Sequence, residues 1–271
     1  MKRAVLSLLL FGCVILMSAS GFWMVRYFLT SKAQQDAFSE LSGETTQQTG
    51  ENPNLGQISQ FVSGFLPKPT AEPEQNTDPE QPSHDVKALR EKNPDCIGWV
   101  TVPDTVIDYP LMHSTQDPEK YLHTAFDGTA SDYGVPFLDS RCDLSSGNLI
   151  LYGHNRFDGS MFTPIVYFPD KSVLDEHRTV YVELEDEVRE YELFASFKIT
   201  ADSELYTPFG GGGFLDAVRE ACPYDCGNIP ADSQFVTLST CDVSRENGRI
   251  IVVGVLKNLI SKEVNEAAKK E

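Results

Sequence analysis

Positive charge is scarce in this chain. Its 271 residues carry 22 Lys and Arg against 40 Asp and Glu, a formal net charge of -18. Polyphosphate is held by basic patches, so this balance argues against non-specific nucleic-acid binding. Metal chemistry also lacks its parts. Cys222 and Cys226 are close in sequence, but no companion Cys or His pair lies near them, which makes zinc a poor fit. No acidic cluster has the look of a calcium site, and no cofactor is expected. No internal repeat is visible.

Residues 4–25 lack charge altogether, with Lys2 and Arg3 before them and Arg26 after. A helix of this length crosses a hydrocarbon core of about 30 Å. The basic N-terminal flank would keep that end in the cytoplasm and place the remainder outside. Ser18-Ala19-Ser20 could instead be a signal-peptidase site. Phe22, Trp23, Met24 and Val25 continue the apolar run beyond it, and a cleaved signal has no need of them. An uncleaved anchor over residues 1–30 is the reading preferred. The bulky Phe11 before Gly12 argues against a lipoprotein cysteine at Cys13.

Large apolar residues are in turn rare over residues 31–84, which are rich in Gln, Thr, Ser, Glu and Pro. Such a composition buries too little surface to offset its ordering entropy. It reads as a flexible extracellular stalk, with Phe61, Phe65 and Leu66 as a small apolar cluster. A folded domain is expected over residues 85–260, and a charged tail over 261–271.

Within that domain helices are few. A short helix should end before Asn93-Pro94. Ile97–Val102 and Val106–Tyr109 flank Pro103-Asp104 as a hairpin. Leu149–Tyr152 is a short apolar run of the kind buried on both faces. Val180, Val182 and Leu184 alternate with polar neighbours, as do Tyr191, Leu193, Ala195, Phe197 and Ile199. Phe235–Leu238 and Ile250–Leu256 supply two more strands. Gly210 to Gly213 reads as a flexible hinge before one helical face formed by Phe214, Leu215, Val218, Ala221 and Cys222. Many short strands and few helices point to a closed or nearly closed β-barrel.

The chemistry gathers at three strand ends. Thr237-Leu238-Ser239-Thr240-Cys241 places a thiol at the end of one apolar run, and Arg249 opens the next. An antiparallel return would bring Arg249 beside Cys241, where a guanidinium can stabilise an oxyanion. The competing reading is a loop arginine paired with Asp242 or Glu246. His154 closes the run Leu149–Gly153, and an imidazole there can act as general acid and base. Taken alone, it reads more readily as a buried histidine satisfied by backbone. His84 falls in the stalk, and His113, His123 and His177 fall in polar loops, so these four read as surface residues. Cys96, Cys142, Cys222 and Cys226 could form disulfides in an external domain, and spacing does not choose among three pairings.

Three segments together resemble the sortases, the cysteine transpeptidases of Gram-positive cell surfaces. These are the Thr237–Cys241 run with Arg249 opening Arg249–Val255, the stretch from Leu151 through Gly153-His154-Asn155 to Phe162, and Asn93-Pro94-Asp95 followed by Gly98-Trp99. The last two are similar to class B in particular. The resemblance covers about residues 85–258. It implies a seven- or eight-stranded barrel with a helix-bearing insert, here residues 202–232, that forms part of a groove for a sorting signal. It further implies Cys241 as nucleophile, His154 as general acid and base, and Arg249 as oxyanion or substrate ligand. Ser239, with Thr240 and Leu238 beside it, would meet the substrate. Arg245 competes with Arg249 for its role. The partners implied are secreted proteins bearing a C-terminal sorting signal and an accepting amine from a peptidoglycan precursor or a pilin lysine. The rival readings are another thiol acyl transferase and a surface adhesin. Papain-like enzymes place the cysteine on a helix and before the histidine, and the Ser-His-Gly-Cys segment of L,D-transpeptidases is absent.

Overall fold

The computed structural model describes residues 2–43 and 84–262. Helix α1 (Lys2–Gly43) leads the chain and is long and apolar enough to cross a membrane. It runs on past residue 30, where the stalk was expected to start. The reason is visible in its burial. Tyr27, Ser31, Gln34, Phe38 and Leu41 are wholly or partly buried, while the residues between them are exposed. That spacing is one face of a helix, and it packs on the domain. Phe38 meets Tyr109 edge to face with ring centroids 5.2 Å apart, and the Ser31 hydroxyl donates to Asp158 at 2.5 Å. The remainder of the expected stalk, including Phe61, Phe65 and Leu66, lies outside the described residues, as does the tail beyond Lys262.

The domain opens with α2 (Val86–Lys92), whose first turn is capped by the Asp85 carboxylate accepting from the Ala88 amide. Strands β1 (Cys96–Thr101) and β2 (Asp108–His113) form the expected antiparallel hairpin. Asp104 takes a left-handed φ of 59° in its turn, a conformation Asp tolerates. Then come β3 (Phe137–Leu138), β4 (Asn148–Tyr152), the short α3 (Lys171–Glu176), β5 (Thr179–Glu183), β6 (Glu187–Thr200), α4 (Gly212–Ala221), β7 (Phe235–Cys241) and β8 (Gly248–Ser261). The eight strands close into a barrel in the order β1-β2-β3-β4-β7-β8-β6-β5.

Side chains alternate across a strand, and this sorts the core into two layers. Val236, Leu238 and Val252 point into the barrel with Trp99, Leu149, Leu151, Tyr191 and Phe162. Phe235, Ile251, Val253 and Val255 point outward and are covered by Phe214, Leu215 and Val218 of α4. The odd-numbered residues at the ends of β7 and β8, Cys241 and Arg249 among them, therefore belong to the outer face.

Further expectations change. Gly210 to Gly213 do not form a separate hinge. Gly212 and Gly213 are the first turn of α4, and a Cβ on Gly210 would stand 2.5 Å from the Gly147 carbonyl oxygen. Close backbone approach thus accounts for that glycine. His84 is buried rather than part of a solvated stalk. Its ring stacks on Trp99 at 4.1 Å, and its Nδ1 lies 2.5 Å from the fully buried Glu183. Lys262 reaches the same carboxylate at 3.3 Å, so one ion cluster ties the two ends of the domain together. His113 and His177 are half-buried, His177 stacked on Phe168.

Candidate active site

The pairing around β7 brings the three strand ends together. Strand β4 lies parallel to β7, with Tyr152 opposite Ser239. Two residues further along each chain stand His154 and Cys241. The two strand ends are stitched beyond the ladder. The Gly153 backbone amide donates to the Ser239 carbonyl at 3.1 Å, the Thr240 hydroxyl to the Gly153 carbonyl at 2.8 Å, and the Asn155 side-chain amide to the Cys241 carbonyl at 2.9 Å. On the other side β8 runs antiparallel, and Arg249 is the register partner of Cys241. Directly opposed residues of an antiparallel pair project to the same face. A cleft of about 460 Å³ opens there, and Cys241, His154 and Arg249 all line it.

His154 is half-buried, and its Nε2 lies 2.9 Å from the Leu122 carbonyl oxygen. A carbonyl oxygen only accepts, so Nε2 carries the proton and the neutral ring keeps its lone pair on Nδ1. Burial is the main cause holding the imidazole pKa below its ordinary value, with the Arg156 and His123 charges adding to it and the Leu122 bond opposing. His123, expected on an unrelated surface loop, is exposed but lies on the cleft wall with its ring centroid 6.3 Å from that of His154.

Ser239 and Thr240 also line the cleft. The Tyr206 hydroxyl, from the insert between β6 and α4, is 2.7 Å from the Ser239 hydroxyl. Leu238 is a correction. It is fully buried in the barrel interior, because alternation turns it away from the face that Ser239 occupies. Arg245 is engaged elsewhere. Its guanidinium donates to the Ile199 carbonyl and pairs with Asp242 at 3.5 Å, and it does not line the cleft.

Sequence reasoning missed Tyr206, Tyr152 and the pair Asp139 and Arg141, all on the cleft wall. Arg141 holds Asp139 through two side-chain bonds of 2.9 and 2.7 Å, and the Tyr152 hydroxyl donates to the same carboxylate at 2.9 Å. Burial raises the Asp139 pKa, but these bonds outweigh it and hold the carboxyl below its usual range. Tyr152 arrives through the parallel pairing of β4 with β7, Asp139 and Arg141 through the pairing of β3 with β4, and Tyr206 in the insert after β6, and no local pattern announces any of these.

All six cysteines are free thiols. Cys96 and Cys142 are buried, and desolvation pushes each thiol up to about 11, where it stays protonated and unreactive. Cys241 alone among the six lines the cleft.

The family model described as Sortase domain matches residues 100–257. This chain belongs to the sortase family. Sortase B of Listeria monocytogenes is 32% identical over 182 residues, covering 64% of this chain and 74% of the relative. Sortase B of Staphylococcus aureus is 28% identical over 179 residues, covering 62% and 72%. The crystal structure of Clostridium perfringens sortase B aligns at a TM-score of 0.60 and 26% identity, covering 64% of this chain and 99% of that one. The protein is thus a class B sortase by likeness and a cysteine transpeptidase by family. Its eight-stranded barrel and α4 insert agree with the architecture those motifs implied.

Proposed function

We propose that this sortase cleaves a C-terminal sorting signal at a threonine carbonyl and joins the freed acyl group to an amine of the cell wall or of a pilin. Cys241 gives its thiol proton to the free Nδ1 of His154, and Sγ attacks the carbonyl carbon and forms the C–S bond. The Arg249 guanidinium, opposite it in the ladder, stabilises the oxyanion that develops. Collapse breaks the C–N bond, and His154 delivers a proton to the departing amine. The thioacyl enzyme then waits for an accepting amine, whose proton returns to His154 as the new amide forms and the thiolate leaves. Ser239 and Thr240, with Tyr206 beside them, line the floor on which the peptide would lie. The anchor reading of α1 places the domain outside the plasma membrane, with the N-terminus in the cytoplasm and the secreted, membrane-engaged substrates within reach.

The observation that carries this reading is the convergence of Cys241, His154 and Arg249 on one cleft from the ends of three neighbouring strands. Its test is cleavage of a peptide library, with the scissile bond read by mass spectrometry. Cleavage after threonine, lost in Cys241→Ala with the melting temperature unchanged, supports it. A Cys241→Ala protein that still cleaves removes the nucleophile assignment.

A further inference from the structure

The lower part of α1 marks where a bilayer surface would stand. Trp23 stands near the end of the charge-free run and Arg26 and Tyr27 just after it, with the Arg26 guanidinium 5.7 Å from the Trp23 ring. Aromatic and basic side chains of this kind settle at the membrane–water interface. The domain begins at the same level. Arg156 holds its guanidinium 5.9 Å from the Tyr27 ring, and Ser31, one helical turn on, donates to Asp158. Between those two contact residues stands Phe157, which is 93% exposed, the most exposed of the large apolar side chains described.

The loop is held in place on both sides of that phenylalanine. The Arg156 guanidinium also lies 3.9 Å over the Tyr133 ring and donates to the Asp132 carbonyl at 2.8 Å. Asp158 accepts from the Tyr133 hydroxyl at 2.9 Å and from the Ser160 hydroxyl at 2.6 Å. A braced loop that presents an aromatic ring to solvent, beside a basic residue and a membrane helix, has the composition of an interfacial anchor.

We propose that Phe157 inserts into the outer membrane–water interface, seating the loop after His154 on the phospholipid surface. The inference rests on reading α1 as a membrane anchor. Its occupant is the headgroup and upper acyl region of the bilayer that α1 crosses. Because His154 is three residues before Phe157, the histidine end of the cleft then stands at the bilayer surface. Peptide and acceptor would be met there rather than in bulk solution.

The test uses the full chain in phosphatidylcholine–phosphatidylglycerol vesicles. Dansylalanine is placed at position 157 in one protein and, in another, at position 16 within the charge-free run. Spin-labelled phosphatidylcholine is the quencher. Blue-shifted emission at both positions, with most of it lost to the spin label, supports the proposal. Water-like, unquenched emission at 157 alongside quenching at 16 overturns it and leaves the anchor standing. Blue-shifted emission at 157 that the lipid label does not quench means that protein covers the residue, which also overturns it. No quenching at 16 removes the anchor reading and the proposal together.

Discussion

Cys241 and Arg249 are opposed residues of one antiparallel ladder, eight positions apart in the chain and directly across from each other in space. Arg245 lies in the loop between them, yet its guanidinium is turned to Ile199 and Asp242. The two arginines should therefore separate cleanly. Arg249→Gln is expected to lower kcat/KM by roughly 100-fold or more, the scale for losing an oxyanion donor, with little change in melting temperature. Arg245→Gln should leave kcat/KM within a few-fold and lower the melting temperature slightly. Steady-state kinetics beside calorimetry on both variants checks the pair, and the opposite pattern would move the role to Arg245.

Thiol labelling should follow exposure and environment. Iodoacetamide is expected to modify Cys241 well before Cys96 or Cys142, whose thiols burial holds near 11. Peptide mass spectrometry over a time course gives the order. Loss of activity should track the Cys241 adduct alone.

Gly153 stands immediately before His154, and a Cβ there would lie 2.5 Å from the Phe162 ring. That ring is fully buried and has nowhere to retreat. Gly153→Ala is expected to cost about 1–3 kcal/mol, the range for overpacking a filled site, and to reduce turnover by shifting the imidazole. Chemical denaturation and kcat on one preparation test both halves. A variant of wild-type stability would mean that the ring yields more easily than its packing implies.

The Glu183 cluster makes a pH prediction. Burial raises this carboxyl, but His84 and Lys262 outweigh it and hold the pKa below the ordinary value of 4.5. A carboxylate depressed on folding stabilises the protein fully above its unfolded pKa. That contribution is lost as pH falls through the folded value, so the loss begins below about pH 4.5. Glu183→Ala should be less stable near neutrality by about 3 kcal/mol, the scale for stranding one partner of a buried pair. It should also lose stability less steeply between about pH 5 and pH 3. Denaturant midpoints across that range measure it, and parallel curves for the two proteins would contradict the assignment.

The local signals proved readable, and the non-local ones less so. The β1–β2 hairpin, the α2 stop before Asn93-Pro94, and the return of Arg249 beside Cys241 follow from short-range patterns and appear in the structure. The partnership of β4 with β7 joins residues nearly ninety positions apart, and no periodicity encodes it. Tyr152 and, beyond the β3–β4 pairing, Asp139 therefore went unnoticed as cleft residues, as did Tyr206, which the insert after β6 carries to Ser239. Composition misled at two places. The Gln- and Ser-bearing stretch after Thr30 looked unstructured, yet a sparse stripe from Tyr27 to Leu41 suffices when a domain surface is there to receive it. His84 looked solvated because neither Trp99 nor Glu183 is near it in sequence. Leu238 shows the limit of a motif. It belongs to the signature run, but its place in the pleat makes it barrel filling.

The group that sets the His154 tautomer is the peptide oxygen of Leu122, an atom every amino acid carries. No side-chain replacement at position 122 deletes it, so a residue-by-residue substitution survey would pass over this hydrogen-bond partner of the imidazole without registering it. Only moving the backbone that bears Leu122, by altering the turn at Lys120–Leu122, would release the ring.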